Sequence, residues 1–464
     1  MVQLLKKGFA ALVAVLVGIT AFAQVTTSSL NGKVTDANGA PVPGAAVVAV
    51  HTPSGTQYYS VVNAEGRYAI NGMRSGGPYK VEVSCLGYQA VTFTDVTLQL
   101  AEAYNLNAKL NDDTQMLSEA VVVSTANSKF AVEKTGAATN INNAQITALP
   151  TVSRSITDVT RLSPYGGNGM TFAGADGRTA NFTVDGANFN NNFGLNDKLP
   201  GGNNPISLDA IEELQVVISP YDIRQTNFIG GGVNAITKSG TNTFKGSAYV
   251  YHRNENMRGD VVDGATVASA RDKDRNTIYG MTLGGPIIKN KLFFFTNFEY
   301  VKTPSVASAW RASKDGMWDP DNYISRTTEE DLETVSNFVK TKYGYDTGSY
   351  TNFPADISNT KFLARLDWNI NDRHHLAVRY NYTLNKQWTA PNRSSMDGGT
   401  KGSDARMSKY SMSYANSMYS VDNLVNTWSV DLNSRLSDKF SNQFLATYSK
   451  LDDVRGTNSA DFPF

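Results

Sequence analysis

From residue 243 onward the chain alternates. Seven runs carry an apolar or aromatic side chain at every second position or nearly so: Phe244–His252, Thr277–Leu283, Leu292–Val301, Phe362–Asn369, Leu376–Thr383, Trp428–Asn433 and Phe440–Tyr448. A period of two predicts strands with one apolar and one polar face. The links between the runs narrow the choice of sheet. Residues 254–275, 303–360 and 387–425 are long links, whereas Pro286–Lys291, Asn371–His374 and Ser437–Lys439 are tight turns. Long links alternating strictly with short ones predict a transmembrane antiparallel barrel, with loops at one rim and turns at the other. A soluble sandwich would show no such alternation. Trp368, Tyr382, Trp428 and Tyr448 lie toward run ends and suit interfacial girdles. Seven strands leave an open edge, which lipid does not tolerate. Residues 243–464 are therefore expected to be the first part of a barrel, and the chain an N-terminal fragment or a truncated reading frame.

The start of the chain gives its address. Lys6 and Lys7 precede an apolar run from Phe9 to Phe22, and Ala21-Phe22-Ala23 forms a cleavage signal before Gln24. That run falls short of the ~20 apolar residues of a membrane helix. Residues 1–23 are thus expected to be a signal peptide on an exported protein. Positive and negative charges balance at 42 each, which argues against nucleic acid as a partner. The single cysteine, Cys85, excludes an intrachain disulfide. Abundant Tyr (22) and Phe (21), with no later run long enough for a membrane helix, favour β structure throughout.

Residues 24–110 contain about seven short alternating runs separated by turn signals such as Asn38-Gly39, Glu65-Gly66 and Gly76-Gly77-Pro78. This predicts a β-sandwich. The wording GKVTDANGAPVPGAAVVAV, AEGRYAINGM and PYKVEVSCLGY resembles the carboxypeptidase-regulatory-like domain. A zinc site built from His252, Glu255 and His374 or His375 has the right spacing but no rigid α/β scaffold to hold it. No nucleophile motif or phosphate loop appears either. The reading is no enzyme, no metal and no cofactor.

Asp209–Asn242 permits two local readings. Ile211, Leu214 and Val217 share a helical face, while Leu214, Val216 and Ile218 alternate as a strand; both fit a short helix running into a strand. Gly230–Gly232 then supply a turn, and Val233, Ala235 and Thr237 a second strand. Upstream, Arg154–Val159 looks like a helix start with Ser153 as cap, and Phe182 and Val184 lead into an Asp185-Gly186 hairpin turn. Asp185-Gly186, Ile211-Glu212, Gly231-Gly232, Asn234 and Thr237-Lys238 together resemble the plug of TonB-dependent outer-membrane receptors, in particular the Oar-like branch. The resemblance implies a plug over residues 127–242 inside a barrel of about 22 strands.

Between sandwich and plug, residues 111–126 read as a linker. Glu119, Ala120, Val121, Val122, Val123, Ser124 and Thr125 resemble the family's TonB box, a segment suited to pairing with an exposed sheet edge. The same β-branched run also reads as a last strand of the sandwich or a first strand of the plug. Asn188, Asn190, Asn191, Asn192, Asn203 and Asn204 lie in amide-rich loops that the resemblance would turn outward, as ligand-contact candidates. It further implies TonB and outer-membrane lipid as partners, active import of an unknown solute, and a wet path along Arg365, Asp367, Arg379 and Asp431. A surface adhesion or secretion-associated protein of the same architecture is the alternative.

Overall fold

The computed structural model describes residues 25–457 except 113–120, 125–136, 152, 191–198, 200–203, 221–224, 226, 258, 260, 267–274, 305–309, 352–354, 390–406 and 438. The expected signal peptide lies outside them. The architecture is mainly β: a sandwich, an α+β plug and an open antiparallel wall.

Two sheets make the sandwich. One joins β1 (Ser28–Thr35), β4 (Arg67–Met73), β7 (Ala103–Asn105) and β8 (Ala108–Lys109); the other runs β3 (Thr56–Val61), β2 (Ala46–His51), β5 (Gly76–Ser84), β6 (Val91–Leu98) and β9 (Val121–Ser124). The expected last run is split at Leu106-Asn107, so it serves as two short strands beside β1. Leu30, Val47, Val81, Val83 and Met73 are fully buried between the sheets. They point inward because each occupies alternate positions of a strand with one solvated face.

The plug sheet has the order β10 (Ala137–Asn142), β13 (Ile211–Ser219), β14 (Gly232–Thr237), β11 (Asn181–Val184) and β12 (Ala187–Asn188). Asp209–Asn242 resolves in favour of strand: Leu208–Ala210 forms a single 3-10 turn that leads directly into β13. Helix α1 (Asn143–Ala148) carries a capping box from Asn142 and Gln145. Helix α2 (Ile156–Thr160) is capped by Ser155 rather than Ser153, because Ser155 accepts from the Thr157 amide. Asp185 and Gly186 both have positive φ, as a two-residue hairpin turn between paired Val184 and Ala187 requires.

The wall follows. It begins with β15 (Lys245–Arg253); a small ribbon, β16 (Val261–Val262) and β17 (Ala265–Thr266), leads to β18 (Asn276–Ile288) and β19 (Leu292–Thr303). A second ribbon, β20 (Arg311–Ser313) and β21 (Ile324–Thr328), precedes helix α3 (Glu329–Tyr343). Long strands β22 (Ile357–Asn371), β23 (His374–Thr389), β24 (Tyr419–Arg435) and β25 (Ser441–Thr457) complete it. All seven long strands pair antiparallel in chain order, and among the described residues β15 and β25 remain unjoined edges.

The burial of this wall is reversed from that of a water-soluble sheet. On β22, Lys361, Arg365 and Asp367 are buried, while Phe362, Leu366 and Trp368 are exposed; on β24, Thr427, Ser429 and Asp431 are buried while Trp428 is exposed. On these two strands charged and hydroxyl side chains face the plug and aromatics face outward, whereas on β19 Phe293 and Phe295 are buried and Phe295 joins the plug core. Only a hydrocarbon surround makes that arrangement favourable.

Candidate functional site

The plug meets the wall at a cluster of buried charges, and its centre is Asp185. Parallel pairing of β11 with β14 sets Val184 opposite Ala235, which brings the Asp185 carboxylate to the end of β14. There it accepts from the Thr237 amide (3.1 Å) and the Thr237 hydroxyl (2.7 Å). Arg379 approaches the same carboxylate at 3.5 Å and Arg365 at 3.9 Å. Arg365 also donates to the Thr237 carbonyl (2.6 Å) and makes a two-pronged bond to Asp367 (2.8 and 2.9 Å). Asp431 completes the group, 3.7 Å from Arg379. None of the five charged side chains is more than 7% exposed. Buried charges persist only when paired and hydrogen-bonded, so plug and wall complete one another here.

Arg365, Asp367, Arg379 and Asp431 face the lumen, and in this structure the plug lies against that face.

A second polar seam lies nearer the long-loop rim. Glu299 and Lys361 form a buried ion pair at 2.6 Å. Ser207 of the plug and Tyr249 of the wall both donate to the second Glu299 oxygen (2.8 and 2.9 Å). Arg154 pairs with Asp209 and stacks over the Tyr251 ring at 4.1 Å. The carbonyl oxygens of Asn204 and Pro205 accept from Asn359 and Thr383.

The motif residues serve several roles. Asp185 and Thr237 form the lock itself. Gly231 and Gly232 admit aromatic rings: a Cβ on Gly231 would lie 2.6 Å from the Phe172 ring, and one on Gly232 2.7 Å from Phe228. Gly186 closes the hairpin, and Ile211 is buried in the plug core. Asn234 bridges Thr183 (3.1 Å) and the Val25 carbonyl (2.6 Å). Glu212 approaches Gly76 of the sandwich, and burial raises its carboxyl above the usual range. Lys238 extends the ladder, donating from its amide to the Ala210 carbonyl at 2.8 Å.

Among the amide-rich candidates, Asn188 accepts from the Asn190 amide, and Asn190 bonds to the Phe182 amide and the Asn181 side chain. These side chains brace the plug. Asn204 sits beside the wall; Asn191, Asn192 and Asn203 lie outside the described residues. So do Glu119, Ala120 and Thr125 of the box. Val121, Val122, Val123 and Ser124 form β9, parallel to β6, with Val91 opposite Val121 and Thr94 opposite Ser124. The last-strand reading of this run is the one observed.

Two contributors had no sequence signal. Arg74 of the sandwich reaches Asp367 at 3.3 Å, and Thr26 donates to Asp431 at 2.6 Å. A cavity of about 460 Å³ opens at this junction of sandwich, plug and wall, with Arg74, Lys238 and Arg379 among its lining. His252 and His374 stand at opposite rims of the wall, each bonded to a hydroxyl, Thr277 and Ser434 respectively.

A sandwich, a lumen-filling plug and a wall with its polar face inward define an outer-membrane β-barrel protein, and the outer membrane is its location. Residues 29–111 match a carboxypeptidase regulatory-like domain and residues 236–313 an outer membrane beta barrel domain. Over 390 residues the chain is 26% identical to the TonB-dependent transporter Oar of Myxococcus xanthus, covering 79% of this chain and 34% of that protein. Among solved structures it is similar to the siderophore receptor PirA from Pseudomonas aeruginosa, at 13% identity over 70% of this chain and 42% of that one, with a TM-score of 0.41. It is likewise similar to the outer membrane transporter YddB from Escherichia coli, at 11% identity, 68% and 39% coverage and a TM-score of 0.45. The chain thus resembles TonB-dependent outer-membrane receptors of the Oar kind while spanning 34% of the curated relative's length. The three proteins named are transporters or receptors.

Proposed function

We propose that the complete protein imports a solute across the outer membrane by ligand-gated, TonB-driven movement of the plug. The observation that carries this reading is the buried ion network joining Asp185 of the plug to Arg365 and Arg379 of the wall. Such a joint holds a stopper firmly yet leaves polar groups that water can solvate on release. An immobile filler would be better served by apolar packing, which avoids the desolvation of four or five charges.

In this reading TonB pairs with the Glu119–Thr125 box by strand addition, a mode that needs only an extended, β-branched segment. Because Val121–Ser124 already lies along β6, TonB would take it by strand exchange. The solute would bind the long-loop rim and the plug apex, and lipid would surround the aromatic wall face. The experiment is deletion of Glu119–Thr125 in the full-length gene. Energised uptake is expected to vanish while surface binding of ligand persists. Unchanged uptake would sink the proposal and favour the adhesion alternative.

A further inference from the structure

Among the described residues the sandwich touches the wall at the short-turn rim, and it does so at several turns. The Asn242 amide donates to the Pro53 carbonyl (2.9 Å), and Asn369 donates to Thr56 (2.9 Å). Arg373 donates to the Tyr59 hydroxyl (2.9 Å), while the Arg435 guanidinium lies 3.9 Å over the Tyr59 ring. Tyr58 packs on His375 with ring centres 4.9 Å apart. The Leu100 amide donates to Glu213 of the plug (2.9 Å), and the Leu100 carbonyl accepts from Gln215 (2.8 Å) and Asn140 (3.1 Å).

Two facts set this apart from a module hanging on a linker. First, Asp367 and Asp431 each take a bond from the sandwich, from Arg74 and Thr26, in addition to their bonds within the plug–wall lock. The sandwich is therefore part of the same charge network that fixes the plug. Second, the apolar cores do not merge: the sandwich core and the plug core are separate clusters, joined by hydrogen bonds, while an ion pair and ring contacts join the sandwich to the wall. A polar seam between two self-contained cores separates without exposing either core.

We propose that the sandwich is a releasable gate beneath the plug, fastened by Arg74 and Thr26, so that the plug cannot leave the lumen before the sandwich moves aside. The inference goes beyond the import reading and does not require it, since it concerns the resting closure of the pore.

The test uses the full-length protein with Cys85→Ser and one new pair, Asn71→Cys with Ser441→Cys. These exposed positions face each other across the seam, with Asn71 Nδ2 3.4 Å from Ser441 Oγ, and neither belongs to the lock. Oxidation is expected to bridge them in the outer membrane, read as a mobility shift lost on reduction. In planar bilayers, urea that releases the plug of the reduced protein should open no conductance in the bridged protein until reductant is added. An Arg74→Ala, Thr26→Ala variant should open at lower urea than the unaltered protein. Failure to bridge, or a bridged protein opening at the same urea concentration as the reduced one, overturns the gate. No step uses solute or TonB, so these outcomes stand apart from the uptake experiment.

Discussion

Arg379 of the wall lies 3.5 Å from Asp185 of the plug, and the two are only 4% and 0% exposed. The pair joins residues nearly two hundred positions apart, one in a hairpin turn and one in the middle of a membrane strand. Removing Asp185 leaves Arg365 to Asp367 and Arg379 to Asp431, so the loss is expected to fall below the ~3–5 kcal/mol of a fully orphaned buried charge. Asp185→Asn keeps an acceptor for the Thr237 amide but discards the charge facing both arginines. The variant plug is expected to leave the lumen at clearly lower urea than the parent, read as bilayer conductance. An unchanged threshold would remove the lock from the account.

The Glu299–Lys361 pair offers a cleaner separation of charge from packing. Glu299→Gln or Lys361→Met alone strands its partner in a nearly dry site. The double variant has no orphan charge and should recover most of the lost stability. Heat-dependent mobility of the three proteins in detergent gels measures this. Losses that simply add would show that the two groups act independently.

His51 ties stability of the sandwich to pH. Its ring bonds to Ser54 and packs on Tyr79, and burial, with Arg74 nearby, lowers its pKa to about 3. The folded state therefore keeps the ring neutral, whereas the unfolded chain protonates it near pH 6.5. Stability is full above that value and falls as pH drops from 6.5 toward 3, by about 2 kcal/mol at pH 5. Amide exchange across Ala46–His51 should quicken between pH 7 and 5, after correction for intrinsic rates. His51→Gln should flatten that dependence.

Gly231 tests the plug's packing. A methyl group there meets the Phe172 ring at 2.6 Å, so Gly231→Ala forces the ring or the β14 entry to shift. A loss of about 1–3 kcal/mol is expected from overpacking. Adding Phe172→Leu should return part of it. A Gly231→Ala plug as firmly seated as the parent would show that the loop relaxes freely.

Periodicity made the wall legible because each strand's two faces meet different surroundings, and Arg365 and Trp368 had to differ. The alternation also marked Arg365, Asp367, Arg379 and Asp431 as lumen-facing. It was silent on what opposes them, since alternation describes a strand's faces and not the body packed against either. Val121–Ser124 shows the same limit. Its composition fits any exposed sheet edge, and only the free edge of β6 decided which edge it joins in this structure.

By itself, then, the sequence determined the seven wall strands, the turn at Asp185-Gly186 and the glycine turn at 230–232, because these follow from local sterics and from the period of two. The tertiary structure decided the partners. Thr26, Arg74, Asp185 and Arg379 are scattered along the chain, and nothing local tells which partner each of them takes. They become one network only when sandwich, plug and wall meet at a single junction, where burial makes pairing obligatory for each charge.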